Sequence, residues 1–438
     1  MRWLYRHGLL WLLLAAGLLT RVVGLDFPGE VVFDEVHFGK FVTSYCCSGE
    51  RFFDIHPPHG KLIVAGAAYI GGYNGEFSFD HIGQLYGSAP VAALRIAPAL
   101  AGVLIPVLVY LLLLQAGVSR SGAFLGGLIF VFDNAFVVQS RIISLDNMLI
   151  AAVLGCLSVY LAAWRRGGWL RYVLCAVSGC LAGFAVGVKF TGLAALGVVG
   201  VLMLFRVFRA KTSRQFTSLV LCGLTILAMA CVVYVGGWAF HFALLSEPGS
   251  GDAWGVPTGH FVTDFVDVHK KMLDANYNLE QGHTYSSMWW SWPMMNRPVF
   301  YWQNDGRSIY FLGNPVVWWG SFILGAVALV FSVMSLWFRD ARVRSGGWVF
   351  LVGYCIAYIP LMRVPRALFL YHYMVPLVFF LLFGLQWLDY VLRNRNRRVW
   401  YCSMAVAVVV MFVFFSPLAY GLRTPSWQAL LFWFSSWR

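Results

Sequence analysis

Two carboxylates stand side by side in the stretch 31–41, VVFDEVHFGKF, where Asp34 and Glu35 are followed by His37 and Lys40. Arg21, Arg95, Arg141, Lys189 and the acid Asp146 stand elsewhere at the edges of strongly apolar runs. A carboxylate takes the proton from a hydroxyl, while Arg and Lys hold a phosphate. Ionised groups beside lipid are costly unless paired, protonated or used. Such a set suits transfer from a lipid phosphate: cations neutralise the departing phosphate, a carboxylate activates the acceptor hydroxyl, and no nucleotide loop is needed. Solvated loop charges and structural ion pairs account for one or two of these residues but not for all of them at one depth.

The elements that must position them are transmembrane helices. Of 438 residues, 60% are hydrophobic and 12% charged, and the mean hydropathy is +0.71, outside the range of soluble domains. A span needs roughly 20 apolar residues. Eleven runs qualify, near 8–25, 92–115, 122–138, 147–164, 172–187, 192–206, 216–237, 315–337, 347–362, 372–392 and 400–419, the third and fifth being short. Arg2 and Arg6 precede the first run without a small-residue cleavage pattern after it, so it reads as an uncleaved span. With the N-terminus inside, 17 of the 32 Lys and Arg residues fall in short cytoplasmic segments, among them Arg339, Arg342 and Arg344. Only Asp340 and Asp389 of the 19 acids join them, so the inner face carries +15 and the outer face −2 of the net +13. This is the positive-inside pattern, and the basicity implies orientation rather than nucleic acid. The C-terminus is then outside.

Two outer segments are long, 26–91 and 238–314, and function belongs there. They divide the chain into an N-terminal transmembrane catalytic module, 1–237, the large outer loop, 238–314, and a C-terminal transmembrane module, 315–438. Residues 62–72 are too short to span and lie at the interface or against the bundle. The adjacent Cys46 and Cys47 read as a reducible thiol pair rather than a bond, and no paired metal spacing is present. Broken helices or repeated halves, expected of a transporter, are not visible.

The stretches VVFDEVHFGKF (31–41) and DIHPPHGKL (54–62) resemble the first outer loop of the protein O-mannosyltransferases, membrane glycosyltransferases of the GT-C type. AALRIAPALAG (92–102), QSRIISLDNML (139–149), GVKFTGL (187–193) and SSMWWSWPMMNRPVFYW (286–302) resemble further blocks of that family, so the likeness spans most of the chain. It implies an all-α GT-C bundle of about eleven spans capped by outer-face loop elements. It also implies inverting transfer of mannose from a polyprenyl, dolichyl-type phosphate to Ser or Thr hydroxyls of an acceptor protein, without a required cofactor. Carried over by position, Asp34 is the base and Glu35 positions the acceptor or the base. Arg95, Arg21, Lys189 and Arg141 are phosphate candidates. Asp146 orients a cation, contacts sugar hydroxyls or pairs with Arg141, and His56 heads the HPP block. Trp290 and Arg297 shape the acceptor groove or sit in the membrane interface.

The chain departs from the family pattern in two places. The 77-residue loop 238–314 has no room for the β-trefoil MIR domain of eukaryotic members, which points to the compact bacterial form in an inner membrane. His59 replaces a common Leu and is not a family catalytic residue. Two other functions fit the charges less fully: a lipid-phosphate sugar transferase acting on lipid A or another glycan, and a non-enzymatic transporter.

Overall fold

The computed structural model describes residues 2–278, 282–337, 348–424 and 427–438; Arg339, Asp340, Arg342 and Arg344 lie outside the described residues. In chain order the helices are α1 (Arg2–Arg21), α2 (Glu35–Thr43), α3 (His59–Ile70), α4 (Val91–Gln115), α5 (Arg120–Val131), α6 (Asn134–Ser140), α7 (Asp146–Ala163) and α8 (Gly168–Val188). There follow α9 (Leu193–Phe208), α10 (Ser213–Leu244), α11 (Phe261–Asn278), α12 (Pro315–Trp337), α13 (Trp348–Tyr358), α14 (Met374–Val391) and α15 (Arg397–Tyr420). Each of the eleven apolar runs is helical. Among the described residues, eight helices are individually long and apolar enough to cross a membrane, nine if the bent pair α5 and α6 counts as one span, and Gly8–Arg21 and Trp348–Arg363 are shorter apolar helices.

The third run is the main departure from expectation, because it is broken by a 58° bend between α5 and α6. Freed backbone groups are costly at membrane depth, and here side chains satisfy them on both sides of the break. The buried Arg21 guanidinium donates to the carbonyls of Phe130 (2.5 Å) and Val131 (3.3 Å) at the C-terminus of α5. Asp133 caps α6 by accepting from the Phe136 amide at 3.1 Å. Its other oxygen takes the Asn314 amide and the Trp318 indole, both at 3.1 Å, which ties the break to the start of α12. Polarity within the run, absent from a hydropathy average, is what permits the bend.

Helix α10 spans 32 residues, about 48 Å at 1.5 Å per residue. It outruns a hydrocarbon core of about 30 Å and ends at Leu244 rather than near 237. The short turns gather at one end of the bundle, where Arg165 bonds the Gln115 carbonyl and Asp389 accepts from Ser119 and Tyr401. The two long segments gather at the other end. There α3 packs its buried face, including Val64, Ala65 and Ala68, against the bundle and does not span. His59 at its start wedges between α8 and α10: a Cβ at Gly187 or Gly237 would meet its ring at 2.1 and 2.2 Å. Its Nε2 lies 2.8 Å from the Val233 carbonyl.

The fold is not purely helical. Strands β1 (Val299–Asn304) and β2 (Arg307–Phe311) pair antiparallel across Asp305 and Gly306, both at positive φ (45° and 69°). Asp-Gly is a strong hairpin signal, and it stands between stretches rich in β-branched and aromatic residues. Glu30 clamps this hairpin to the first loop by accepting from Trp302 Nε1 (2.7 Å) and Asn304 Nδ2 (2.6 Å). Cys46 and Cys47 are bonded, contrary to the thiol reading. They occupy a wide helical turn, Ser44–Ser48, that continues α2, with Cys47 lying against Tyr73 and Gly75.

Candidate active site

Asp34 sits at the N-terminal end of α2 without capping it: among the described residues its carboxylate has no hydrogen bond or ion pair. The residue before it, Phe33, has φ 47°, a conformation that costs a bulky side chain of order 1–3 kcal/mol. Phe33 is held there by its amide bond to the Tyr301 carbonyl (3.1 Å) and by its ring, stacked on Tyr301 at 4.1 Å. The Asp34 carboxyl is pushed up to about 7, first by loss of solvent, with Asp146 and Asp54 adding to the rise and Lys189 opposing it. A half-buried, unpartnered carboxyl titrating near neutrality is suited to accept a proton.

Glu35 is committed elsewhere. Its Oε1 accepts from Arg95 Nε (2.7 Å) and the Ile143 amide (3.0 Å), and its Oε2 from Arg95 Nη2 (2.8 Å), the Val32 amide (2.8 Å) and the Tyr86 hydroxyl (3.0 Å). Arg95 in turn spends its remaining N–H groups on the carbonyls of Leu25 (3.4 Å), Pro28 (2.9 Å) and Glu30 (3.0 Å). Both side chains are 0% exposed. The pair pins the first loop, the start of α4 and the α6–α7 turn together beneath Asp34.

The expected phosphate cluster is therefore corrected at three of its four positions. Arg95 has all five donors filled and no access. Arg21 lies inside the bundle on the α5 carbonyls, with its buried Nε unpartnered. Arg141 caps the end of α1 by donating to the carbonyls of Arg21 (3.2 Å), Val23 (2.8 Å) and Gly24, and stacks on Tyr420 at 4.9 Å. Arg21 and Arg141 answer one need, since helix ends near lipid leave carbonyls that guanidinium groups satisfy, whereas Arg95 braces Glu35 and the first loop.

Lys189 alone of the four reaches open space. Its Nζ is 2.7 Å from Asp146 Oδ1, so Asp146 pairs with Lys189 and not with Arg141. The two line a cavity of about 250 Å³ together with His56, Arg363, Arg366 and Tyr371. Lys189 Nζ lies 5.6 Å over the Tyr371 ring, and Tyr371 packs edge-on against Phe33 at 6.3 Å, which brings the cavity beside Asp34. Burial, with Lys189 and Arg366 close by, holds the His56 imidazole well below its usual range and hence neutral. Its backbone carbonyl accepts from Lys61 at 2.7 Å, and Lys61 is buried in an ion pair with Asp54.

Trp290 is 63% exposed and does not line the cavity, and the Arg297 guanidinium bonds the Thr284 carbonyl at 2.7 and 3.0 Å. Neither takes part in the assembly around Asp34. Arg363, Arg366 and Tyr371 went unnoticed in the sequence. Their signal is RVPRALFLYHY at 363–373, two arginines in a short turn between spans on the poorly basic face. Gln139 and Tyr301 carried no such signal.

A family model described as dolichyl-phosphate-mannose-protein mannosyltransferase matches residues 11–246, and one described as the C-terminal four TMM region of protein-O-mannosyltransferase matches 261–437. Protein O-mannosyltransferase 1 of Drosophila melanogaster is 35% identical over 253 residues, covering 56% of this chain and 28% of the fly protein. Dolichyl-phosphate-mannose–protein mannosyltransferase 4 of Saccharomyces cerevisiae is 32% identical over 251 residues, covering 54% of this chain and 32% of its own length. The chain thus spans about a third of the length of the curated relatives it matches. In fold it is similar to the S. cerevisiae Pmt1-Pmt2 complex bound to the sugar donor, with TM-score 0.91 at 20% identity over 98% of this chain and 92% of that one. ArnT from Cupriavidus metallidurans in the apo state is more distant, with TM-score 0.54 at 15% identity over 94% of this chain and 64% of that one.

Proposed function

Because the chain belongs to the dolichyl-phosphate-mannose-protein mannosyltransferase family, we propose that it moves mannose from a polyprenyl phosphate to Ser or Thr hydroxyls of a protein. The observation that carries this is the unpartnered Asp34 carboxyl, poised near neutrality beside a cationic cavity of about 250 Å³. The hydroxyl oxygen attacks the anomeric carbon, its proton passes to Asp34, and the carbon–oxygen bond to phosphate breaks. Polyprenyl phosphate leaves and the anomeric configuration inverts. Lys189, Arg363 and Arg366 hold the phosphate as its charge grows, in a site where water is scarce and fixed cations act most strongly. Asp146 orients Lys189. His56, neutral, lines the sugar end. Glu35 positions the base rather than the acceptor, since its five bonds leave it no capacity for a further donor. Trp290 and Arg297 stand at the rim of the second loop, where an acceptor passes.

We keep the division into 1–237, 238–314 and 315–438 as part of this proposal, with its first boundary moved to Leu244, where α10 ends. We place the chain in a bacterial inner membrane because the loop 238–314 has no room for the MIR domain of eukaryotic members, and we put its N-terminus in the cytoplasm and its site outside on the sorting of its charges. Membranes incubated with radiolabelled polyprenyl phosphate mannose are then extracted to separate protein from lipid. Label in protein, lost with Asp34→Asn, is the expected result; label in glycolipid alone would refute a protein acceptor, and transfer indifferent to Asp34 would refute the base.

A further inference from the structure

We propose that Tyr301 is a positioning residue that keeps the base and the phosphate cation in register, a role that rests on the reaction proposed above. Tyr301 comes from β1, far along the chain from Asp34 and Lys189, and is 0% exposed. It acts in two directions through different atoms. Its ring and carbonyl hold Phe33, the ring stacked at 4.1 Å with planes 6° apart and the carbonyl accepting the Phe33 amide at 3.1 Å. These contacts stabilise the left-handed Phe33 from which Asp34 projects. Its hydroxyl donates to Gln139 Oε1 at 2.9 Å, Gln139 Nε2 donates to Asp146 Oδ2 at 2.8 Å, and Asp146 Oδ1 accepts from Lys189 Nζ at 2.7 Å. A carboxylate only accepts, so Asp146 fixes the Gln139 amide and leaves its oxygen to Tyr301. Burial raises the Tyr301 hydroxyl well above its ordinary range, so it remains a donor.

A purely structural tyrosine would lose stability on substitution and lower apparent kcat in proportion to the folded fraction, leaving donor KM unchanged. The two-armed role predicts a split. Purified full-length protein is assayed for initial rates with radiolabelled dolichyl phosphate mannose and a Ser/Thr-rich peptide, and binding of mannose-free dolichyl phosphate is measured alongside. Tyr301→Phe keeps the stack and loses one neutral hydrogen bond. Donor KM rises and dolichyl phosphate binding weakens about 3- to 10-fold, more than kcat falls. Tyr301→Leu also loses the stack, and kcat drops at least a further ~10-fold as the base is misplaced. Tyr301→Phe added to Gln139→Leu does no further harm to donor KM, because both break one chain.

Unchanged donor KM and binding in Tyr301→Phe would overturn the hydroxyl arm, and equal kcat in Tyr301→Phe and Tyr301→Leu the ring arm. Should Tyr301→Leu fail to fold, the cycle with Gln139 decides. A wild-type protein that binds dolichyl phosphate through Tyr301 yet transfers no mannose would refute the proposed reaction while sustaining the relay.

Discussion

Replacing Arg95 separates a phosphate ligand from a buried brace. Arg95→Ala removes two of the five donors on Glu35 and strands the Pro28 and Glu30 carbonyls, in a site with both partners 0% exposed. The Val32 and Ile143 amides and the Tyr86 hydroxyl still face Glu35, so the carboxylate is partly solvated by protein. Breaking a buried pair from one side costs about 3–5 kcal/mol, much of it the uncompensated remaining charge. Arg95→Lys keeps the charge but not the planar fork that serves Glu35 and three carbonyls at once, and should recover less than half of the loss. Thermal unfolding of the detergent-solubilised protein should show the destabilisation, and the double variant with Glu35→Gln should lose less than the sum of the two single losses, because both act on one pair. In the folded fraction kcat falls, because the loop beneath Asp34 is loosened, while donor KM changes little. A stable Arg95→Ala protein with sharply raised donor KM would refute the brace and return Arg95 to the phosphate.

Asp34→Asn lowers turnover by about 10² to 10⁴ with insertion intact. The base must be ionised, so wild-type kcat/KM climbs as pH rises through about 7 and falls tenfold per unit below it; a pH profile of the Asp34→Asn variant lacks that limb. Arg366→Ala and Arg363→Ala each raise donor KM by roughly tenfold or more, the loss of a charge-assisted contact, and normal donor saturation in both would remove them from the phosphate. Gly237→Ala puts a methyl 2.2 Å from the His59 ring and costs about 1–3 kcal/mol; thermal unfolding should show His59→Ala restoring most of it. Reporter fusions after Arg166, Arg214 and Arg398 report cytoplasm, and fusions after Gly249 and at the C-terminus report the outside; an inside C-terminus would break the charge sorting.

Most apolar runs are long, so their helical nature could be read directly, while among the described residues eight helices, or nine spans with the bent pair, are long and apolar enough to cross a membrane. Charge at helix ends was legible as a pattern and misleading as a function. Arg21, Arg95 and Arg141 have the residue type of a phosphate site, but type does not reveal whether the facing groups are a ligand or the protein's own carbonyls. Only the fold shows that Arg141 meets the end of α1 and Arg21 the end of α5. Asp34 stood out in the sequence because a carboxylate close to lipid is costly unless it is paired, protonated or used. Tyr301 and Gln139 were invisible because their importance is wholly relational: an aromatic in an aromatic-rich loop and one amide in a helix acquire meaning only when 162 positions of separation close to 2.9 Å. The break at Phe132 was missed because a hydropathy window averages over Asp133.

The cavity draws its walls from both ends of the chain: Lys189 and Asp146 from the first half, Arg363, Arg366 and Tyr371 from the last quarter. During synthesis the segment bearing Asp34 enters the membrane early, whereas the turn carrying the arginines emerges only with α13 and α14. A ribosome-bound chain stopped before residue 363 therefore has Asp34, Lys189 and Asp146 but lacks the cavity wall that Arg363, Arg366 and Tyr371 supply. On the reaction proposed above, transfer would require insertion of the final helices, and chains ending before residue 363 should transfer no mannose. Two separately expressed fragments divided in the 245–314 segment become a natural pair for complementation, since neither encloses the cavity alone.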